Sequence, residues 1–199
     1  MIIVGYIGAL VLFAWYGRDL PQPGKLAESR GNSTIFYDRN GKVIYEMFQD
    51  KNRVPVDTGE IPKLLKQATV AIEDKRFYEH KGVSEFGILR AAVNSALGSP
   101  QGGSTITQQL IKNVLLSSER SLPRKIKEAI LAYEVEKRYT KDQILSMYLN
   151  EAPYGGNFYG VGSAAMGYFG KQPKELSLVQ SAIIAGLPQN PTRFSPFVG

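Results

Sequence analysis

Cysteine is absent from this sequence, and histidine occurs once, at position 80. The first absence excludes a disulfide frame and a thiolate metal site. An oxidising compartment is thereby allowed but not required. The second excludes a zinc site built from several histidines, and it leaves a serine–histidine triad only His80 to use. Charge is missing from the first sixteen residues, MIIVGYIGALVLFAWY. No internal repeat and no low-complexity tract interrupts the chain. What is present suffices for one globular domain with a core, plus an appendage: 199 residues, 43% hydrophobic and 21% charged. The formal charge of +6 and a pI near 9.4 favour an anionic partner, whether nucleic acid, an anionic membrane surface or a phosphorylated ligand.

The chain divides into four stretches. Residues 1–17 read as a transmembrane anchor. Sixteen helical residues span about 24 Å, somewhat less than the roughly 20 residues a bilayer requires. Trp15 and Tyr16 stand where an aromatic belt would lie, followed by Arg18. A cleaved signal peptide is disfavoured, because no charged n-region and no small-x-small cleavage site are present. The missing basic flank suggests a truncated anchor. Residues 18–33 are rich in Gly, Pro and charge and read as a juxtamembrane linker. Residues 34–61 hold two strand-like runs around Asn40-Gly41, a hairpin signal. From Pro62, a first-turn proline, residues 62–199 read as helical. Helical runs are expected at 84–97, 105–116, 123–138, 141–149, 160–168 and 175–186. The fold class is therefore mainly α, with a small β-hairpin near the membrane.

Three segments have residue types suited to chemistry. In AIEDKRFYEHKG (71–82), Glu73, Phe77 and His80 share one face if the helix persists. A carboxylate beside an aromatic surface can be desolvated toward general-base duty. On residue types alone, a helix end with solvated charges explains the segment as well, and His80 reads as a structural residue. In QGGSTITQQLIKN (101–113), Ser104, Thr105 and Gln108 form a capping-box pattern behind two glycines. Such a helix start suits phosphate. Gln109, Lys112 and Asn113 then form a polar face that capping alone does not explain. In the third segment, Arg120 precedes RKIKEAILAYEVEKRYTK (124–141), where Arg124, Lys127 and Glu128 are neighbours at i, i+3 and i+4. These groups could hold a pyrophosphate, with Glu128 kept ionised, or they could be ion pairs on a wet helix face. The stretch 141–171 reads as scaffold: Ile144, Leu145, Tyr148 and Leu149 form a core stripe, and Ala164 and Ala165 suggest close helix packing.

EDKRFYEHKG, GGSTITQQLIKN, RKIKEA, KDQILSMYLN and AAMGYFGK occur in one order at one set of separations. Together they resemble the motif series of the glycosyltransferase family 51 peptidoglycan polymerases, found in class A penicillin-binding proteins and monofunctional transglycosylases. The resemblance runs from about residue 34 to the end. It implies a mainly helical, lysozyme-like fold with a membrane-embedded jaw. The implied reaction joins lipid II units into β-1,4 glycan with inversion, releasing undecaprenyl pyrophosphate. Glu73 matches the family's general base. Glu128 matches its second glutamate, which would order the pyrophosphate site directly or through a divalent cation, Mg or Mn, as a metal ligand. Lys112, Arg120, Arg124 and Lys127 match phosphate-clamping positions. Asp74, Phe77, Ser104, Thr105, Gln108, Gln109 and Asn113 match the binding cleft.

No organic cofactor and no nucleic acid are implied. The implied partners are lipid II, the growing lipid-linked chain, the bilayer, and other cell-wall synthesis and division proteins. The implied location is the bacterial inner membrane, single-pass, with the catalytic domain outside the cytoplasm. A phosphoglycolipid such as moenomycin is an expected cleft ligand. No transpeptidase motif is present, yet the hairpin resembles the region preceding the domain in class A members, which points to a bifunctional parent. Two rivals stand beside this reading. A lysozyme-like glycan hydrolase would use a protonated glutamate on a neutral polymer, which the cationic groups do not suit. A basic module binding nucleic acid lacks basic runs with interleaved aromatics.

Overall fold

The structure, a computed structural model, describes residues 15, 17, 20–26, 33–41, 43–48, 51–85, 87, 103–116 and 121–196. Six α-helices are described: α1 (Lys63–Glu73), α2 (Ile106–Val114), α3 (Leu122–Arg138), α4 (Lys141–Glu151), α5 (Val161–Phe169) and α6 (Leu178–Gly186). Strands are few and short: β1 (Thr34–Tyr37), β2 (Val43–Met47), β3 (Asn52–Arg53) and β4 (Phe158–Tyr159). The chain is thus mainly helical. Most of the expected run 84–97, and the anchor apart from Trp15 and Gly17, lie outside the described residues. Among the described residues, no helix is long and apolar enough to cross a membrane.

Local chemistry sets the helix boundaries. The Thr105 side chain accepts from the Gln108 backbone and the Gln108 side chain answers it, a complete capping box opening α2. Ser121 caps α3, with a proline in its first turn. Ser177 and Gln180 form a second capping box at α6. That box starts α6 later than the expected position 175, because Pro173–Glu175 forms a 3-10 turn first. The hairpin forms around the expected turn. Thr34 pairs with Met47, Ile35 with Glu46 and Phe36 with Tyr45, before the register shifts to Tyr37 opposite Val43.

The chain folds as two compact units, each assembled from two stretches: Met1–Ala27 with Arg76–Lys141, and Glu28–Lys75 with Asp142–Gly199. In the first, α2 packs on α3. Ile106, Leu110, Ile111, Ile130, Leu131 and Val135 are buried there, each contributing about 1.5–3 kcal/mol by leaving water. Gly82 lies against α3, and a Cβ on it would stand 2.6 Å from the Ala132 carbonyl oxygen.

In the second unit, α1 packs on α6. The stripe of Ile144, Leu145, Tyr148 and Leu149 is fully buried, as the sequence suggests. Asn150 ties α4 to the extended segment after β3. Its side chain accepts from Val56 N at 2.9 Å and donates to Val56 O at 2.9 Å. The expected close packing near Ala164 is present, and both alanines are buried. One residue pair shows how close it is: a Cβ on Gly162 would stand 2.1 Å from the Val54 carbonyl oxygen.

Candidate functional site

In the first unit, the candidate residues of α2 divide into two sets. Ile106, Thr107, Gln108, Leu110, Ile111 and Val114 are buried. Lys112 is exposed, and Gln109 and Asn113 are half-buried. The polar face expected from the i, i+3, i+4 spacing is therefore real: the helix turns it away from its packed side. Thr105 and Gln108 lie inside the fold. Thr105 N donates to Gln108 Oε1 at 3.0 Å. Thr105 Oγ1 donates to Gly82 O at 2.7 Å and accepts from Gln108 N at 3.1 Å. These two side chains fix where α2 begins, and with it where Gln109, Lys112 and Asn113 stand.

Glu128 is the centre of charge in this unit. It lies on α3 and is 1% exposed. Arg124 Nη1 stands 3.1 Å from Glu128 Oε1. Lys125 Nζ donates to Glu128 Oε2 at 2.8 Å and also to Ser104 Oγ. Four side chains from α3 and the turn before α2 thus form one connected cluster. Ser104, Arg124 and Glu128 were expected there; Lys125 was missed. Reading spacing forward from Arg124 selects Lys127, but among the described residues the lysine on Glu128 is Lys125. Both lysines lie within one turn of Glu128, so spacing alone does not choose between them. Among the described residues, Arg124 Nε and Glu128 Oε1 are buried and have no hydrogen-bond partner. A buried unsatisfied donor is costly, and a phosphate oxygen would satisfy Arg124 Nε. Arg120 lies outside the described residues.

The residues after Glu73 correct one expectation. Glu73 is the last residue of α1, and Asp74 leaves the helix at φ −156°, ψ 79°. Residues 75–79 form turns instead. Glu73, Phe77 and His80 therefore do not share a helical face. Phe77 is fully buried, with its ring edge-on to Tyr78 at 5.2 Å and to His80 at 6.3 Å. Lys141 Nζ stands 4.5 Å from the centre of the Phe77 ring.

In the second unit, Glu73 is half-buried and Asp74 is buried. Burial pushes the Tyr148 phenol well above its usual value of 10, and the charge of Glu73 adds to the shift. Tyr154 is raised for the same two reasons, in the same order. Both phenols are neutral across the physiological range. The carboxylate at the end of α1 therefore acts on two buried, protonated hydroxyls, of which the sequence presents Tyr148 only as core.

A metal on Glu128 would have to compete with the two cations already there. Among the described residues, no cluster of three or more acidic or histidine side chains is present. The two oxygens of Glu128 already face Arg124 and Lys125, which an ion would have to displace.

Comparison with known proteins identifies the family. The transglycosylase family pattern matches residues 40–199. Penicillin-binding protein 1A of Rickettsia bellii is 45% identical over 200 residues, covering 98% of this chain and 24% of that protein. Penicillin-binding protein 1A of Escherichia coli is 43% identical over 198 residues, covering 98% and 23%. Penicillin-binding protein 1A/1B of Bacillus subtilis is 40% identical over 200 residues, covering 98% and 22%. The chain spans about a quarter of the length of these curated relatives. A crystal structure of penicillin-binding protein 1A from Haemophilus influenzae aligns with a TM-score of 0.44 at 25% identity, over 86% of this chain and 16% of that one. The chain belongs to the transglycosylase family, and is thereby an enzyme domain of the kind that penicillin-binding proteins carry.

Proposed function

We propose that this chain is a peptidoglycan glycosyltransferase that polymerises lipid II into β-1,4-linked glycan strands. The observation that supports this most directly is the cluster at Glu128. Arg124 and Lys125 pair with a nearly inaccessible carboxylate, and Arg124 Nε is a buried donor with no partner among the described residues. A pyrophosphate is a good leaving group once its charge is matched, so it needs cations more than a proton. A neutral glycan would bring this cluster no negative charge to match.

The acceptor sugar needs a base. Glu73, on a different helix from Glu128 and close enough to two buried phenols for its charge to act on them, takes that role. It removes the proton of the acceptor 4-hydroxyl as that oxygen attacks the anomeric carbon of the growing chain. The α-linked bond to the pyrophosphate breaks in line, the new bond is β, and undecaprenyl pyrophosphate leaves with its electron pair. Arg124, Lys125 and Lys112, with Arg120 and Lys127, hold the developing charge. Gln109, Asn113, Ser104 and Asp74 orient the sugars and phosphates. Glu128 keeps the two cations of α3 in register. A Mg or Mn ion, where used, would enter with the pyrophosphate, since among the described residues no group of three acidic or histidine side chains stands ready to hold it.

On this reading the fold is lysozyme-like. The domain works at the outer face of the bacterial inner membrane, anchored once by residues 1–17 and in contact with other cell-wall synthesis and division proteins. The test is incubation of the full chain with purified lipid II and, separately, with polymerised glycan. Growth of chains from lipid II is the expected result. Fragments released from polymer, without growth, would assign the site to a hydrolase instead.

A further inference from the structure

A buried ion pair in the first unit belongs to none of the groups named so far. Glu136, near the end of α3, and Lys141, the first residue of α4, meet at 2.8 Å with side chains 7% and 20% exposed. Thr107, buried on α2, donates to the same Glu136 oxygen at 2.6 Å. The lysine also donates to the carbonyl oxygen of His80 at 2.6 Å, and its ammonium stands 4.5 Å from the centre of the Phe77 ring. One cation thus makes three contacts of different kinds: a carboxylate, a backbone carbonyl and an aromatic ring.

The geometry has a direction. Glu136 and Thr107 lie on packed helices, while Phe77 and His80 lie on an irregular loop, residues 75–82. The loop has a turn of its own, with Glu79 N donating to Arg76 O at 2.9 Å, but no regular helix or strand fixes its path, so contacts from packed helices place it. Lys141 grips this one at its middle, and Thr105 grips it at Gly82. Gly82 has φ +88° and lies 2.6 Å, measured from an added Cβ, from Ala132 O. The loop is tethered at its other end to Glu73 and Asp74 by the chain itself.

We propose that Lys141, braced by Glu136 and Thr107, is a positioning residue for the polymerase reaction, holding the first-motif loop at Phe77 and His80. This rests on the reading of the chain as a lipid II polymerase. Lys141 touches no substrate in this account. It sets the place of the loop that leads out of the general base.

The test uses the full chain in detergent, with Lys141→Met and the double variant Lys141→Met/Glu136→Gln. Lys141→Met should speed amide hydrogen exchange in residues 76–82 about tenfold, and by more than in the first turns of α3, far from Glu136. It should lower kcat for lipid II polymerisation by up to about 100-fold with KM moved less than about threefold, as loss of positioning does. The single variant leaves Glu136 buried without its cation. The double variant removes that charge, so it should regain thermal stability while kcat stays low.

Recovery of stability and kcat together in the double variant would make the pair purely structural and overturn the proposal. So would wild-type exchange and wild-type kcat in Lys141→Met. A wild-type chain that polymerises nothing defeats the polymerase reading, and exchange in residues 76–82 still decides whether Lys141 holds the loop.

Discussion

Lys125 reaches Glu128 one helical turn ahead of it, Nζ to Oε2 at 2.8 Å, and the same ammonium donates to Ser104 in the turn before α2. One lysine thus joins two sequence motifs that lie about twenty residues apart. Its side chain is 45% exposed while that of Glu128 is 2% exposed. The cation therefore has one side on a buried acid and another open to an incoming anion.

Lys125→Met should lower polymerisation by about 100-fold, the loss typical of removing one preorganised charge from a developing anion. Lys127→Met should cost less, since Lys127 is not the lysine on Glu128. Initial rates with lipid II for the two variants check the order. Equal losses would remove Lys125 from its special place.

Glu128→Gln should both cripple polymerisation and lower the thermal midpoint. The variant leaves Arg124, with a side chain 16% exposed, beside a neutral amide. Breaking a buried pair from one side costs about 3–5 kcal/mol; partial exposure of both cations places this case toward the low end. Calorimetric unfolding measures it.

Glu73→Gln should reduce polymerisation by at least about 100-fold, as removal of a general base does. Binding should survive. A phosphoglycolipid such as moenomycin should raise the thermal midpoint of the wild type and of Glu73→Gln alike, and should fail to do so in a variant lacking both Arg124 and Lys125. Near-normal chain growth by Glu73→Gln would take the base assignment away from it.

Tyr148 and Tyr154 predict an alkaline limb in stability. Their folded pKa values lie above the unfolded value of 10, through burial first and the charge of Glu73 second. The folded state thus holds their protons more tightly than the unfolded chain. The stabilisation is complete below pH 10 and is lost as pH rises above it, by about 1.4 kcal/mol per pH unit for each phenol. Urea titrations between pH 9 and 11 should show the loss, and Tyr148→Phe/Tyr154→Phe should flatten it.

Gly162→Ala tests packing apart from any chemistry. The new Cβ would meet the Val54 carbonyl oxygen at 2.1 Å, a backbone atom that cannot rotate away. Overpacking of this kind costs about 1–3 kcal/mol. A lowered thermal midpoint with unchanged far-UV circular dichroism is the expected result.

The helices around the candidate site were legible because their ends are written locally. Thr105 with Gln108 and Ser177 with Gln180 form side-chain bonds across three residues, and such bonds depend on spacing alone. The polar face of Gln109, Lys112 and Asn113 was legible for the same reason. The run through Glu73, Phe77 and His80 was not. The shared face required the helix to persist past Glu73, whereas Asp74 leaves it and Lys141, sixty-one residues after His80, bonds the loop.

The sequence by itself determined the family, through five motifs in a fixed order, and with it the two glutamates and the basic residues worth testing. It also determined a mainly helical chain with one hairpin. Only the tertiary structure decided that Lys125 is the lysine on Glu128, that Phe77 is buried and braced by Lys141, and that the charge of Glu73 acts on Tyr148 and Tyr154. The physical reason is range: capping and amphipathic periodicity act within a few residues, whereas burial and ion pairing join whatever the folded path brings together.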